Sequence, residues 1–256
     1  MAKVISIHSF RGGTGKSNLT ANLAAQLARR NFRVGVIDTD IQSPGIHVIF
    51  ALKPASITLA LNDYLWGRCR VEEAAYDVTA AAVGRIEEGQ ERPRLFLIPS
   101  SVSTGEIARI LREGYDIGRL NDGMQELIRA LNLDFLLIDT HPGVNEETLL
   151  SIAVSDILLL VMRPDHQDFQ GTAVTAQLAR QLDVRDMHIV LNKVPVEMDR
   201  DALRSQVEDG YRAPVVAMLP LSTTMAQLAS SGLFSLRYPD HPLTQSLYPI
   251  VDLLVK

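Results

Sequence analysis

Short apolar runs alternate with stretches of helical periodicity along most of the chain, and this alternation restricts the fold more than any other feature of the sequence. Strands that are buried on both faces of a parallel sheet read as continuous apolar runs, because helices cover both sides. Seven such runs occur, at residues 4–7, 34–37, 95–98, 135–138, 157–162, 188–191 and 215–218. The pattern predicts an α/β protein with a doubly wound, mostly parallel sheet and helices on both faces.

Between these runs, apolar residues recur at the spacing of an amphipathic helix. Four helical faces are predicted, namely Leu19, Leu23 and Leu27; Leu120, Met124, Leu127, Ile128 and Leu131; Val174, Leu178 and Leu182; and Leu243, Leu247, Ile250, Val251 and Leu254. A charged stretch at residues 84–94 contains two glycines and a proline. We interpret it as an exposed loop, because the runs on both sides of it fit one sheet. Residues 1–256 are therefore expected to form a single domain.

The composition argues against several classes of protein. The 256-residue chain has a net charge of −5, which gives no general attraction to nucleic acids or acidic membranes. Its single cysteine, Cys69, is incompatible with an internal disulfide or an iron–sulfur site with paired cysteines. We expect Cys69 to be a small buried residue in a reducing cytoplasm. No leader pattern, bilayer-spanning run or membrane-targeting tail is expected.

A glycine-rich turn follows the first apolar run and precedes a predicted helix that starts near Lys16. Its sequence is Phe10-Arg11-Gly12-Gly13-Thr14-Gly15-Lys16-Ser17. A strand, a glycine loop and a helix N-terminus in this order form a phosphate-binding site, because backbone N–H groups and the helix dipole point at the anion. Lys16 is expected to reach the β- and γ-phosphates, and Ser17 to place its hydroxyl on Mg²⁺. Phe10 replaces the first glycine of the G-x-x-x-x-G-K-[ST] pattern.

The segment from Arg11 to Ser17 resembles the deviant Walker A loop of the ParA/MinD superfamily, K-G-G-x-G-K-[ST]. In that family the first lysine reaches across an ATP-sandwich dimer to the partner's nucleotide. The resemblance implies an ATP-dependent homodimer in which Arg11 keeps this charge and binds phosphate oxygens. The alternative is that Arg11 only pairs with a nearby carboxylate. The resemblance also implies nucleotide contacts from Gly12, Gly13, Thr14, Gly15, Lys16, Ser17 and Asn18.

Two of the apolar runs end in carboxylates. Asp38 and Asp40 follow the run at 34–37, and Asp139 follows the run at 135–138. Ligands bind at the carboxyl ends of strands in α/β sheets, where carboxylates suit hydrated Mg²⁺. Resemblance to the family's switch I, D-x-D, implies that Asp38 helps to hold Mg²⁺ and that Asp40 orients or deprotonates the attacking water. The alternative is a solvated turn capped by these aspartates.

Asp139 resembles a Walker B aspartate, which together with Ser17 and Asp38 would complete the magnesium site. The residues that follow it resemble switch II of the same family. His141 stands where the family often has proline or alanine, and we expect its side chain to face solvent.

The base-binding end is predicted from two later strand ends. Pro195 stands where related GTPases of the N-K-x-D pattern carry the aspartate that pairs with guanine, so adenine is favoured. The resemblance implies that Asn192 meets the adenine amino group and that Pro220 packs near the base. Residues 155–165 also resemble the family strand that follows switch II, so the resemblance extends over nearly the whole chain.

The sequence therefore predicts a slow, partner-stimulated ATPase that uses ATP and Mg²⁺ and positions a cargo or regulates a protein partner. Lys16, Asp40 and Arg11 are its candidate catalytic residues. Two alternatives are an ATP-dependent small-molecule ligase or kinase, hinted at only by His141 and His166, and a non-hydrolysing nucleotide-gated interaction module. Non-specific DNA binding would fall to Arg29, Arg30 and Arg33, although arginines at a helix end also satisfy the helix dipole.

Overall fold

The structure is a computed structural model that describes residues 2–83, 94–184 and 186–256. Its strands are β1 Lys3–His8, β2 Arg33–Asp38, β3 Tyr76–Asp77, β4 Arg94–Ile98, β5 Phe135–Asp139, β6 Ile157–Met162, β7 Met187–Val194 and β8 Val215–Pro220. They form one sheet in the order β3-β4-β2-β5-β1-β6-β7-β8. Each pairing is parallel except the one between β3 and β4. The predicted α/β fold is confirmed, and each predicted apolar run lies within a strand.

The antiparallel strand β3 was not predicted. It has two residues, Tyr76 and Asp77, which pair with Leu97 and Phe96 of β4. Two residues are too few to produce a recognisable alternation of apolar and polar side chains. The loop predicted at residues 84–94 lies outside the described residues up to position 93, and Arg94 opens β4.

Helices connect the strands and cover the sheet. They are α1 Lys16–Arg29, α2 Ile46–Ile49, α3 Leu61–Leu65, α4 Thr79–Val83, α5 Thr104–Glu113, α6 Ile117–Leu131, α7 Glu146–Ala153, α8 His166–Gln181, α9 Arg200–Tyr211, α10 Thr223–Leu228, α11 Phe234–Arg237, α12 Pro242–Gln245 and α13 Tyr248–Leu254. Short 3-10 helices occur at Pro54–Ser56 and Val71–Ala74. Within the described ranges, no helix combines the length and apolar character needed to cross a bilayer.

Each face of the sheet has its own apolar core, because alternate side chains of a strand point to opposite sides. On one face, Ile5, Val34 and Leu137 pack with α1, α4 and α13. On the other face, Leu136 and Ile138 pack with α3 and α6, while Leu158 and Leu160 pack with α8 and α9. The buried strands are thus sandwiched between helices, and their carboxyl ends emerge together along one edge.

Three sequence predictions about packing were wrong. Val174 is 47% exposed, because α8 turns small residues such as Gly171, Thr175 and Ala179 toward the sheet. The final predicted helix is split into α12 and α13, each with a proline in its first turn, and an internal proline interrupts a helix. Cys69 is only partly buried, at the margin of the core beside α6.

Candidate functional site

The site lies where three adjacent central strands end. β5 pairs with β1 on one side and with β2 on the other, so the ends of these strands lie side by side. The glycine loop follows β1, the segment with Asp40 follows β2, and the segment with His141 follows β5. Parallel strands present their carboxyl ends at one edge, which is where such sheets bind ligands.

The glycine loop has backbone angles that require glycine at two positions. Gly13 has φ +76° and Gly15 has φ +96°, values that side chains with a Cβ rarely adopt. At Gly15 there is a second constraint, since an added Cβ would stand 2.5 Å from Nδ2 of Asn192. Helix α1 begins immediately afterwards at Lys16, so its free N–H groups point into the loop.

Two residues at the end of β7 hold the outer side of this loop. Asn192 donates from Nδ2 to the carbonyl of Thr14 at 2.7 Å, and Lys193 donates from Nζ to the carbonyl of Gly13 at 2.8 Å. Asn192 Oδ1 also accepts from the N–H of Lys193 at 2.8 Å. Lys193 has φ +57°, a strained conformation that costs about 1 kcal/mol or more. The part that Lys193 plays was not predicted from the sequence.

Lys16 and Asp139 are buried ionisable residues that lie close together beneath the glycine loop. Lys16 is only 7% exposed, although its side chain carries a full charge. Burial raises the pKa of Asp139 to about 6, while the Lys16 ammonium and the Ser17 hydroxyl act in the opposite direction. The hydroxyl of Thr20, one turn into α1, lies 3.4 Å from Asp139 Oδ1. The structure therefore brings Lys16, Ser17 and Asp139 together.

Asp38 lies directly beside Asp139, since the two residues are register partners on β2 and β5. Asp38 accepts from the N–H of Asp40 at 3.0 Å through Oδ1. Its other oxygen, Oδ2, is buried and has no hydrogen-bond partner of ordinary geometry among the described residues. Burial, followed by the neighbouring charges of Asp139 and Asp40, holds the pKa of Asp38 well above its usual range. Two buried carboxyl groups in contact repel each other unless a proton or a cation lies near them.

Asp40 is tied to its own loop and faces His141. Its Oδ1 accepts from the N–H and the hydroxyl of Ser43 at 3.1 and 2.9 Å. His141 Nε2 lies 3.8 Å from the same oxygen, and the His141 side chain is 21% exposed. The expectation that His141 faces solvent is therefore wrong, because the close approach of the two loops turns the ring inward against Asp40.

His8, the last residue of β1, is a buried neighbour that the sequence did not single out. The hydroxyl of Thr140 donates to the carbonyl of Ile7 at 3.0 Å, so it must accept from His8 Nδ1, 2.8 Å away. Burial and then the charge of Lys16 lower the pKa of His8 to about 3. His8 is thus neutral, with its proton on Nδ1 and a free lone pair on the buried Nε2.

The first two residues of the loop lie against α8. The ring of Phe10 contacts Gly171, where an added Cβ would stand 2.1 Å from the ring. The Arg11 guanidinium donates to the side-chain oxygen of Gln167, within its own chain. Among the described residues, its side-chain hydrogen bond is thus to an amide and not to a carboxylate.

A cavity of about 320 Å³ adjoins the loop on the side away from Asp38. Its wall includes Gly15, Asn18, Asn192, Pro220 and Met225. Asn18 donates weakly to the Ser230 hydroxyl at 3.4 Å, and its Oδ1 is buried without a partner among the described residues. The structure thus brings Asn192 and Pro220, which were predicted for the base, to one mostly apolar cavity beside the loop, together with Asn18, which was predicted as a nucleotide contact.

Residues 5–236 match the family described as the CobQ/CobB/MinD/ParA nucleotide binding domain, CbiA. The chain belongs to this family. It is 28% identical over 258 residues to an uncharacterized ATP-binding protein of Methanocaldococcus jannaschii. That alignment covers 100% of this chain and 88% of the relative. The septum site-determining protein MinD of Pyrococcus horikoshii, complexed with Mg-ADP, has a TM-score of 0.81 at 20% identity, over 100% of this chain and 97% of that one.

A MinC:MinD cell division complex of Aquifex aeolicus contains a chain with a TM-score of 0.79 at 23% identity, over 99% of this chain and 96% of that one. The family match over residues 5–236 confirms the resemblance to the ParA/MinD superfamily, and the two solved structures share its fold.

The residues of this CobQ/CobB/MinD/ParA domain fit a magnesium nucleotide by their own chemistry. Buried polar atoms without partners, among the described residues, include His8 Nε2 and Asp38 Oδ2 at the ends of β1 and β2, Thr14 Oγ1 in the glycine loop and Asn18 Oδ1 in the first turn of α1. Buried polar groups normally have partners, so these atoms are available to a ligand bound at the loop and the strand ends. In the described ranges, no group of three or more His, Cys, Asp or Glu side chains is arranged to hold a metal. Mg²⁺ is held mainly by phosphate oxygens and water, so its binding does not require such a group of protein side chains.

The structure also shows where two other groups of predicted residues lie, the arginines near the end of α1 and the histidines His141 and His166. Arg33 donates to the carbonyls of Leu131 and Asn132 at the end of α6, and Arg30 pairs with Asp252 at 2.7 Å. The arginine cluster is therefore divided among separate helix contacts. His166 is an exposed residue at the start of α8, whereas His141 faces Asp40.

Proposed function

We propose that this chain is a Mg²⁺-dependent ATPase switch of the ParA/MinD type, which dimerises on ATP to position a cargo or regulate a protein partner. The observation that carries the proposal is the side-by-side burial of Asp38 and Asp139 next to Lys16. Two adjacent buried carboxyl groups are unfavourable in isolation, and they become favourable when a divalent cation lies between protein and phosphate.

Each polar residue of the site has a part in this proposal. Lys16 and the N–H groups of the glycine loop bind the triphosphate. Ser17, Asp38 and Asp139 hold Mg²⁺, which when bound neutralises phosphate charge and orders the phosphate oxygens. Asn18, Asn192 and Pro220 lie along the cavity that receives the base, for which adenine is the proposed occupant.

Asp40 is the proposed residue for the attacking water. Its side chain is partly open at the site, and its second oxygen, Oδ2, is not used by the bonds to Ser43. An aspartate in this position orients a water molecule and accepts its proton. The nearby His141 limits where the carboxylate can turn, and so helps to define the water position.

Arg11 is the proposed contact to a second copy of the chain. Its planar guanidinium can donate two hydrogen bonds to phosphate oxygens, and arginines supplied by a partner stabilise the charge of phosphoryl transfer. In the single chain it contacts Gln167, so reaching a neighbour requires release of that contact. A protein partner has a precedent in the MinC:MinD complex, and the lone cysteine supports a reducing cytoplasmic setting.

Size-exclusion chromatography with light scattering, in Mg-ATP, tests the proposal. Asp40→Ala should accumulate as an ATP-bound dimer with hydrolysis reduced about 100-fold or more, because the water is no longer activated. Arg11→Ala should remain monomeric. Arg29→Ala removes an exposed arginine at the far end of α1 and should behave as wild type. If wild type and Asp40→Ala both stay monomeric with ATP bound, the dimer mechanism is wrong.

A second candidate is a nucleotide-gated interaction module that does not hydrolyse ATP. The observation that favours it is that two of the three proposed catalytic residues are engaged within the chain, Arg11 with Gln167 and Asp40 with Ser43. Phosphate release distinguishes the two functions. Tight binding with unchanged ATP after prolonged incubation, with and without candidate partners, supports the second.

A further inference from the structure

The end of β7 departs from regular strand geometry at the two residues that touch the glycine loop. In a regular strand, consecutive side chains point to opposite faces of the sheet. The pairing of β7 with β8 is irregular between Leu191 and Val194, and Lys193 has a positive φ of +57°. This bulge allows the side chains of both Asn192 and Lys193 to reach the same loop.

The two donors fix two successive peptide groups. The carbonyl of Gly13 belongs to the same peptide plane as the N–H of Thr14, and the carbonyl of Thr14 belongs to the plane of the Gly15 N–H. In a trans peptide the C=O and N–H point in opposite directions. Holding both carbonyls toward β7 therefore directs both N–H groups away from β7, where an anion can accept from them.

Charge strengthens this arrangement. The Lys193 ammonium withdraws electron density from the carbonyl it contacts, which makes the N–H of the same peptide a better donor. Asn192, in turn, uses Nδ2 on the loop and Oδ1 on the backbone of Lys193, so its amide is fixed at both ends. A side chain held in this way is oriented by the loop rather than by a nucleotide base.

We propose that Asn192 and Lys193 are positioning residues for the polyphosphate, acting through the peptide groups of the glycine loop. This inference rests on the proposed nucleotide-binding function and gives Asn192 a role that does not depend on the base contact that family resemblance implies. It also accounts for Gly15, since a Cβ there would collide with Asn192 Nδ2.

The test compares Mg-ATP with inorganic tripolyphosphate plus Mg²⁺, a ligand that has the phosphates and no base. Asn192→Ala and Lys193→Gly should each weaken tripolyphosphate binding about tenfold, and Mg-ATP binding by at least as much, because one hydrogen bond to the loop is lost. Glycine suits the positive φ at position 193, so that variant retains its fold while losing the ammonium. Lys193→Arg, which restores a cationic donor, should recover most of both affinities.

Met225→Ala supplies the matched control on the base side of the cavity. It should weaken Mg-ATP and leave tripolyphosphate unchanged, because Met225 lines the cavity. A readout without ligand is amide hydrogen exchange, in which Thr14 and Gly15 should exchange faster in both loop variants than in wild type.

Loss of Mg-ATP affinity alone in Asn192→Ala would mean that Asn192 contacts the base, and the inference would be overturned. Unchanged affinities and unchanged amide exchange in both variants would overturn it as well, with the proposed function intact. Wild-type protein that binds neither ligand would overturn the proposed function, and the inference with it.

Discussion

The ring of Phe10 rests against the backbone of Gly171, so closely that a methyl group on Gly171 would stand 2.1 Å from the ring. Gly171 belongs to α8, whereas Phe10 opens the glycine loop. The contact thus joins the start of the loop to a helix that lies far along the sequence, and it requires a residue without a side chain at position 171.

Gly171→Ala is therefore expected to be destabilising. The new methyl group must displace the Phe10 ring, and overpacking of this kind costs about 1–3 kcal/mol. Gly210→Ala, in the exposed part of α9 with open space around it, should instead stabilise by about 0.5–1 kcal/mol. Urea denaturation of both variants provides the measurement. Equal stability of the two would show that Phe10 is not seated on Gly171.

Gln167→Ala is expected to favour the ATP-dependent dimer. The substitution removes the acceptor that holds the Arg11 guanidinium within its own chain. Because a dimer has two copies of Arg11 and each exposed hydrogen bond contributes about 0.5–1.5 kcal/mol, the dimerisation constant should rise by roughly 5- to 150-fold. Analytical ultracentrifugation in Mg-ATP measures this change. The double variant Gln167→Ala with Arg11→Ala should show no gain, and a gain in that variant would contradict the role given to Arg11.

The stability of the nucleotide-free protein should depend on Asp139 in the acidic range. The folded-state pKa of Asp139 is about 6, above its ordinary value of 3.8, so the folded state binds more protons between these values. The free energy of unfolding should therefore fall as pH rises from about 4 to about 6, by about 3 kcal/mol through this group.

Asp139→Asn should remove the part of this profile that Asp139 contributes and leave the part from Asp38, whose folded-state pKa is raised as well. At pH 7.5 without nucleotide the variant should be more stable than wild type, and the difference should vanish near pH 4, where both side chains are neutral. Denaturation across this pH range measures the effect. Parallel profiles for the two proteins would contradict the assigned environment of Asp139.

Lys16→Ala and Ser17→Ala should separate phosphate binding from magnesium binding. Loss of the Lys16 ammonium removes a charge-assisted contact and should weaken ATP roughly 10- to 100-fold, with or without Mg²⁺. Loss of the Ser17 hydroxyl should remove most of the gain in ATP affinity that Mg²⁺ provides. Titrations with and without Mg²⁺ test both expectations. An undiminished effect of Mg²⁺ in Ser17→Ala would exclude Ser17 as a ligand.

The parts of the site that the sequence predicts are those with local signals. Asp38 and Asp139 each end a continuous apolar run, and Lys16 follows a glycine turn at the start of a helix. Such features occupy a few adjacent positions, so a single stretch of sequence is enough to identify them. The same holds for the parallel sheet, in which each long strand is a short apolar run.

The parts that were missed depend on distant pairs. Lys193 contacts Gly13 across 180 positions, Gln167 contacts Arg11 across 156, and His8 contacts Thr140 across 132. Lys193 stands in the N-K-x-D-like segment, but the pattern does not show that its side chain reaches Gly13, and the local sequence around Gln167 and His8 gives no comparable signal. Strand order determines the partners of all three residues. His141 was misjudged for the same reason, since only the folded sheet brings its loop to Asp40.

Strand order has a final consequence for the synthesis of this chain. β5 lies between β1 and β2, although it follows them by nearly a hundred residues. A nascent chain that has emerged only as far as α6 contains the glycine loop and Asp38 but lacks the strand that joins them. We therefore expect nucleotide to bind only after more than half of the protein has left the ribosome. Nucleotide binding would then indicate that β5 has paired with β1 and β2.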